Sequence, residues 1–361
     1  MAVREIEREI ERLGALRDAP ESEAAPALAK ALGDRINLIV AKAAAIAGER
    51  GLRELVPGLL RAFGRLLEHG AQRDPQCWGK HAIARALVAL DHRDSAPYLR
   101  GLRHIQLEPV WGGQADTAAN LRGTCVLALA ACSDIPRQDT LRAMVDSLAD
   151  PSDLVRAEAV RALVQMPGEE GALLLRLKAR LGDKALQVTG QAFDGVLALE
   201  GESAVPFVAG FLKSAEAPAK KAVLSLGSSP MAGVVEALIA GRDDARDFVA
   251  GFLKDAGEAL CAEAALSLGS SRLAGAVEAL IAFREETRDP ERRRAALRGL
   301  ALSRHERALE FLLGLVRDGS AGDARSAIEA LSLNRESEEI RKRVTAAAEG
   351  REPEVRAALN W

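Results

Sequence analysis

Aromatic side chains are scarce in this 361-residue chain, with eight Phe, three Trp and one Tyr making up 3% of the residues. Interiors of β-sandwiches and enzyme barrels lean on large rings and β-branched residues, so both classes are disfavoured. Long hydrophobic runs are missing too. The most apolar stretch, Ile36 to Ala47, is interrupted by Lys42 and is too short to span a bilayer. The N-terminal MAVREIEREIERL carries too much charge for a secretory signal. Both absences point to the cytoplasm and away from a membrane. No excess of positive charge exists either: 49 basic residues face 52 acidic ones, a net charge of -3, so no global field draws in nucleic acid or anionic lipid. The four cysteines, Cys77, Cys125, Cys132 and Cys261, form no CxxC pair and no metal-ligand spacing, and read as buried thiols in a reducing compartment. A Gly-rich phosphate loop, a nucleophile elbow and an HExxH are absent, and the 31 glycines punctuate helix ends instead. Neither a cofactor nor a metal is expected.

What the chain does have is repetition. Phe207 to Ala240 reads FVAGFLKSAEAPAKKAVLSLGSSPMAGVVEALIA, and Phe248 to Ala282 reads FVAGFLKDAGEALCAEAALSLGSSRLAGAVEALIA. Self-similarity at this spacing marks an architecture in which no unit buries its apolar face alone and each leans on its neighbours. Apolar residues recur at three- and four-residue spacing, as in Phe207, Val208, Phe211, Leu212 and then Val223, Leu224, Leu226. The segments are therefore short antiparallel helices. Gly227 to Pro230 and Gly269 to Ser271 are expected as their turns, Gly taking the left-handed helix end and Ser capping the next helix.

The rest of the chain reads the same way. Arg4 to Leu13 is an amphipathic helix with Ile6, Ile10 and Leu13 on one stripe, suited to cap the first repeat. Helices follow at Ala25 to Leu32, Ile36 to Ala47, Leu52 to Leu67 and Cys77 to Leu90. Asp150 to Leu163, DPSDLVRAEAVRAL, resembles the HEAT repeat, whose second helix opens with Asp-Pro and carries Val-Arg ahead of an Ala-rich face. Partial copies stand at Asp289 to Leu300, Asp323 to Leu331 and Glu352 to Leu359. Pro is tolerated in a first helical turn, an acidic residue suits the helix N-terminus, and Ala lets helices approach. From Asp289 the period is near 31 residues, which is similar to the short HEAT-like repeats of bilin-lyase-like proteins. The resemblance implies an all-α solenoid, a right-handed superhelix of antiparallel helical pairs of the HEAT or armadillo kind. Its expected divisions are a capping helix at 1–18, helical repeats at 19–104, an inserted loop at 105–120, and continuous HEAT-like repeats at 121–361. Alternate counting leaves one helix unmatched in the duplicated stretch, so each unit there holds two helices or three.

The loop around Pro109, Gly112 and Gly113 is longer than a helix connection needs, and function tends to sit on such insertions. Four of the five histidines, Trp78, Tyr98 and Trp111 gather in this part of the chain. Trp78, His81 and Arg85 share one helix face, as partner-contacting residues would, or as gap-filling neighbours of the loop would. The expected contact surface comprises Trp78, His81, Arg85, Tyr98, Arg103 and Trp111, with Arg156, Arg161, Arg293 and Arg298 forming a second surface for an acidic partner. If His81 and His92 meet such a partner, binding should strengthen as pH falls from about 7.5 to 6. The expected function is a non-enzymatic scaffold that holds a protein or peptide on its concave surface. Other readings come from related families. A DNA glycosylase of the alkylpurine type would use Trp78, Trp111 and Asp116, but without a matching motif; basic clusters stand at Lys220-Lys221 and Arg292 to Arg294 and read as solvated or ladder faces of repeat helices. An iron enzyme resembling deoxyhypusine hydroxylase needs several His-Glu dipeptides, whereas this chain has only His305-Glu306. Bilin-lyase-like chemistry is suggested by repeat length alone.

Overall fold

The computed structural model describes residues 3–166, 168–213 and 258–359. It divides into two compact units, Met1–Gly168 and Glu169–Trp361. Most described residues, 77%, are helical, in antiparallel pairs stacked side by side: an all-α, solenoid-like repeat protein.

In the first unit, α1 (Val3–Ala15) packs on α3 (Asn37–Glu49), with Leu13 fully buried. Four pairs then follow: α2 (Glu21–Leu32) with α3, α4 (Val56–Arg73) with α5 (Trp78–Ala89), α6 (Ser95–Leu102) with α7 (Ala119–Leu129), and α8 (Arg137–Leu148) with α9 (Asp153–Gln165). The second helices form a continuous inner layer, α3 on α5, α5 on α7, α7 on α9. Their shared faces are narrow because the residues there are small. A methyl group on Gly48 of α3 would lie 3.0 Å from the Ala86 backbone of α5, at the limit of close contact.

The insertion between α6 and α7 is not irregular. Leu107–Val110 (β1) and Gly113–Asp116 (β2) pair antiparallel in a two-stranded hairpin closed by Trp111 and Gly112. Gly112 has φ +89°, a conformation open to glycine. The Pro and Gly residues that read as a loop therefore mark a hairpin turn. With Leu107 opposite Asp116 and Glu108 opposite Ala115, the pleat sends Glu108 inward and leaves Leu107 and Pro109 outward.

The second unit opens with α10 (Glu170–Leu181), α11 (Leu186–Glu200) and α12 (Val205–Lys213). Helical residues 258–270 (α13) come next, then α14 (Ala274–Glu286), α15 (Pro290–Ser303), α16 (Glu306–Asp318), α17 (Ala321–Leu331), α18 (Glu338–Ala347) and α19 (Pro353–Ala357). Most of the duplicated stretch, the number of helices in each copy, the turn at Gly227 to Pro230 and the Lys220-Lys221 cluster lie outside the described residues.

Two local expectations change. Gly269 does not end a helix in the left-handed conformation; Arg272 does, with φ +56°. Gly269 lies inside α13, where a side chain would collide with the carbonyl of Gly299 on α15, and Gly299 in turn faces the carbonyl of Ala265. Backbone contact, not turn geometry, is what requires glycine there. The Asp-Pro signature also plays two parts. Asp289 caps α15 as expected, accepting from Glu291 N at 2.9 Å and Arg292 N at 3.2 Å. Asp150 sits before its helix begins and is held by Arg122 at 2.8 and 2.9 Å, leaving Ser152 at the N-cap position of α9.

Candidate functional site

Three helices of the first unit floor an open cleft of about 650 Å³. α5 contributes His81, Arg85 and Val88, α7 contributes Asn120, Thr124 and Leu127, and α9 contributes Leu154, Glu158, Arg161 and Gln165. Each set follows the three- and four-residue spacing that lines one helix face. The apolar members are open to solvent, Val88 by 44% and Leu154 by 37%. Most charges in the cleft are already matched: Arg161 pairs with Glu158 at 3.1 Å and Arg93 with Asp91 at 2.5 Å. The carboxylate that feels Arg85 from α3 is Glu49, and Arg17 holds it at 2.7 Å. Among the described residues Arg85 makes no ion pair or hydrogen bond. Burial, followed by the charge of Arg85, lowers the pKa of His81. Its imidazole therefore gains charge later in acidification than an unperturbed histidine.

Beside the cleft, the hairpin presents Trp111 at its tip, fully exposed at 103%, with Ile105, Leu107 and Val110 also in solvent. The base of the hairpin is fixed by a buried polar network. Glu108 accepts from Gln76 N at 2.8 Å, Thr117 Oγ1 at 2.7 Å and Gln106 Nε2 at 2.5 Å. Burial would raise its pKa, but these donors outweigh burial and hold the carboxyl below the usual range. Asp116 behaves alike: burial raises its pKa, while Gln106 N, Arg122 and Ala118 N bring it down. Beneath lies Asp74, fully buried, accepting from Gly79 N at 2.8 Å, Lys80 N at 2.9 Å and Asn37 Nδ2 at 2.9 Å, and paired with the fully buried Lys80 ammonium at 3.1 Å. The same carboxylate thus caps the start of α5 and neutralises a buried cation. Gln76 and Cys77 pass this corner in left-handed conformations, φ +59° and +56°, rare for residues with a side chain. The buried Cys77 thiol is pushed up to about 12, chiefly by desolvation, and is chemically quiet.

One spacing links these contacts. A cation stands six residues after a turn residue and folds back on it: Lys80 on Asp74, Arg122 on Asp116 at 2.6 Å, Arg156 on the Asp150 carbonyl at 2.8 Å, and Arg293 on the Thr287 carbonyl at 2.7 Å. Arg122 also crosses to the next repeat at Asp150, so each turn is tied to its own helix and one turn to its neighbour. Repeated helical pairs of this kind meet a known pattern, as the family model of HEAT repeats matches residues 246–332. That stretch, within the second half of the chain, carries HEAT repeats. Comparison with curated proteins found no match.

The stacked helical pairs sort the residues singled out from sequence. His81 and Arg85 lie in the cleft together, whereas Trp78, 52% exposed, stands at the start of α5 and does not line it. Arg103 and Trp111 are exposed at the foot and tip of the hairpin. Tyr98 stands in the cleft wall yet is 1% exposed, with its hydroxyl donating to the His92 carbonyl at 3.0 Å. The four arginines of the second expected surface differ in what they touch. Arg156 and Arg293 commit donors to turn carbonyls, and Arg298 pairs with Glu329 at 3.0 Å, leaving Arg161 as the one of the four that reaches the cleft. His305-Glu306 is structural: His305 Nδ1 caps α16 through Arg307 N at 3.2 Å, and Glu306 pairs with Arg343 at 2.7 Å. The buried network of Asp74, Lys80, Gln106, Glu108 and Arg122 was not anticipated. Its only signal in the sequence is the six-residue acid-to-base spacing.

Proposed function

We propose that this protein is a non-catalytic interaction scaffold of the cytoplasm, and that a protein or peptide partner lies along the cleft floored by α5, α7 and α9. One observation carries the reading: the cleft exposes side chains that the fold does not use. Val88 and Leu154 face solvent, and Arg85 lacks a counter-ion among the described residues. Repeat scaffolds of this kind bind through the exposed faces of their inner helices, which supports the assignment. A nucleic-acid role is less well supported. Of the cluster Arg292 to Arg294, Arg293 is tied to Thr287 and Arg294 pairs with Glu291. Among the described residues no three His, Cys, Asp or Glu side chains converge on a metal-sized site.

A photo-crosslinking residue placed at Val88 in the full-length protein should capture a defined partner in the native cell. The same residue at Arg61, exposed on α4 of the outer layer, should not. Equal capture from both positions, or from neither, rejects the cleft as the partner's seat.

A further inference from the structure

We infer that the segment seated in this cleft presents a carboxylate to Arg85 and an apolar side chain to Val88 and Leu127; this rests on the cleft being the partner's seat. The argument is charge matching at one point. Three arginines, Arg85, Arg93 and Arg161, face two carboxylates, Asp91 and Glu158. Arg93 and Arg161 take those two, at 2.5 and 3.1 Å, and Glu49 is held by Arg17 through two bonds at 2.7 and 3.2 Å. The remaining charge is Arg85, and the remaining solvent-facing apolar group one turn along α5 is Val88. Three residues of helix advance about 4.5 Å, so acid and apolar contacts must fall three or four residues apart on a helical partner, or two apart on an extended one. A basic or purely apolar peptide would leave Arg85 uncompensated, and nucleic acid would bring its phosphates against Glu158 and Asp91.

The test is unbiased selection of 12-residue display peptides on the full-length protein, followed by affinity measurement on the wild type, Arg85→Glu and Val88→Asp. The expected outcome is enrichment of Asp and Glu among the selected sequences. Their binding should weaken roughly tenfold or more in Arg85→Glu and fall steeply with added salt. Arg85 is exposed, so the substitution should leave the far-UV circular dichroism unchanged. Selected peptides without acidic enrichment, insensitive to Arg85→Glu but lost in Val88→Asp, overturn the carboxylate inference while the cleft survives as a binding site. Peptides indifferent to both substitutions, or no selected peptide at all, overturn both.

Discussion

Between α6 and α7 the first unit runs through residues 103–118, whereas between α14 and α15 the second unit turns in residues 287–289. The short turn needs little: Asp289 caps the next helix, Arg293 returns to the Thr287 carbonyl, and glycine-on-glycine contact at Gly269 and Gly299 brings the inner helices together. The long turn brings a different interior with it. The hairpin comes with a polar interior at its base, in which Asp74, Lys80, Glu108 and Arg122 are buried and matched to partners. One region is held by close approach, the other by matched buried charge. Backbone close approach carries no charge of its own to titrate but is intolerant of added volume. Matched charge fixes one geometry and is intolerant of losing a partner.

Four measurements press on that contrast. The largest effect is expected for Asp74→Ala, which strands the buried Lys80 ammonium and leaves the donors of Asn37, Gly79 and Lys80 unsatisfied, a loss of about 3–5 kcal/mol by chemical denaturation. A companion Lys80→Met in the same background should recover part of it; a loss below about 1 kcal/mol would show that the ion pair is not what holds the corner. Next comes Gly269→Val, where a side chain meets the Gly299 carbonyl, expected to cost about 1–3 kcal/mol. If Gly269→Val melts like the wild type, the helix contact is looser than described.

Acidification should move the two regions in opposite directions. Glu108 and Asp116 have lowered pKa values, so their contribution is complete above the ordinary carboxylate range near 4 and disappears as pH falls through and below it. Asp194 on α11 and Glu263 on α13 are raised, Asp194 by burial and Glu263 by burial and then by Asp194. The folded state takes up their protons first, so that contact gains stability as pH falls from 7 towards 4. Hydrogen exchange corrected for intrinsic rate should show residues 104–118 losing protection at the acid end while residues 186–200 gain it on the way down. Parallel loss in both regions would contradict the assignment. The smallest stability effect is expected for Trp111→Ala: a fully exposed ring contributes to no core, so unfolding should change by less than about 0.5 kcal/mol. A larger change would mean the tip packs on something within the chain.

Much of this fold could be read in advance, and the reasons are local. Helices α1 to α5 fall within a few residues of their expected spans because apolar spacing of three and four is written within each segment. The hairpin could not be read, since Leu107 to Asp116 has no alternating pattern: an inward Glu108 is acceptable only when Gln76, Gln106 and Thr117 are already in place. The network draws on residues from Asn37 to Asp150, and nothing within any one window says they meet. Of the site residues, His81 and Arg85 were legible because they share a helix face. The near-complete burial of Tyr98 was not legible because rarity in composition says nothing about burial, nor were the turn contacts of Arg156 and Arg293, because a basic residue looks the same in sequence whether its donors face water or a carbonyl.

The grip of Arg122 on Asp116 and Asp150 at once bears on how such a chain can lengthen. Copying a helical pair into the first unit would separate acids and bases that answer to one another across the boundary, and the newcomer would arrive with a charge unmatched. Where neighbours meet mainly through small side chains and bare backbone, an extra pair can slide in with little to reconcile. The chain's near-verbatim internal copy, FVAGFLK at 207 and again at 248, lies in the second unit.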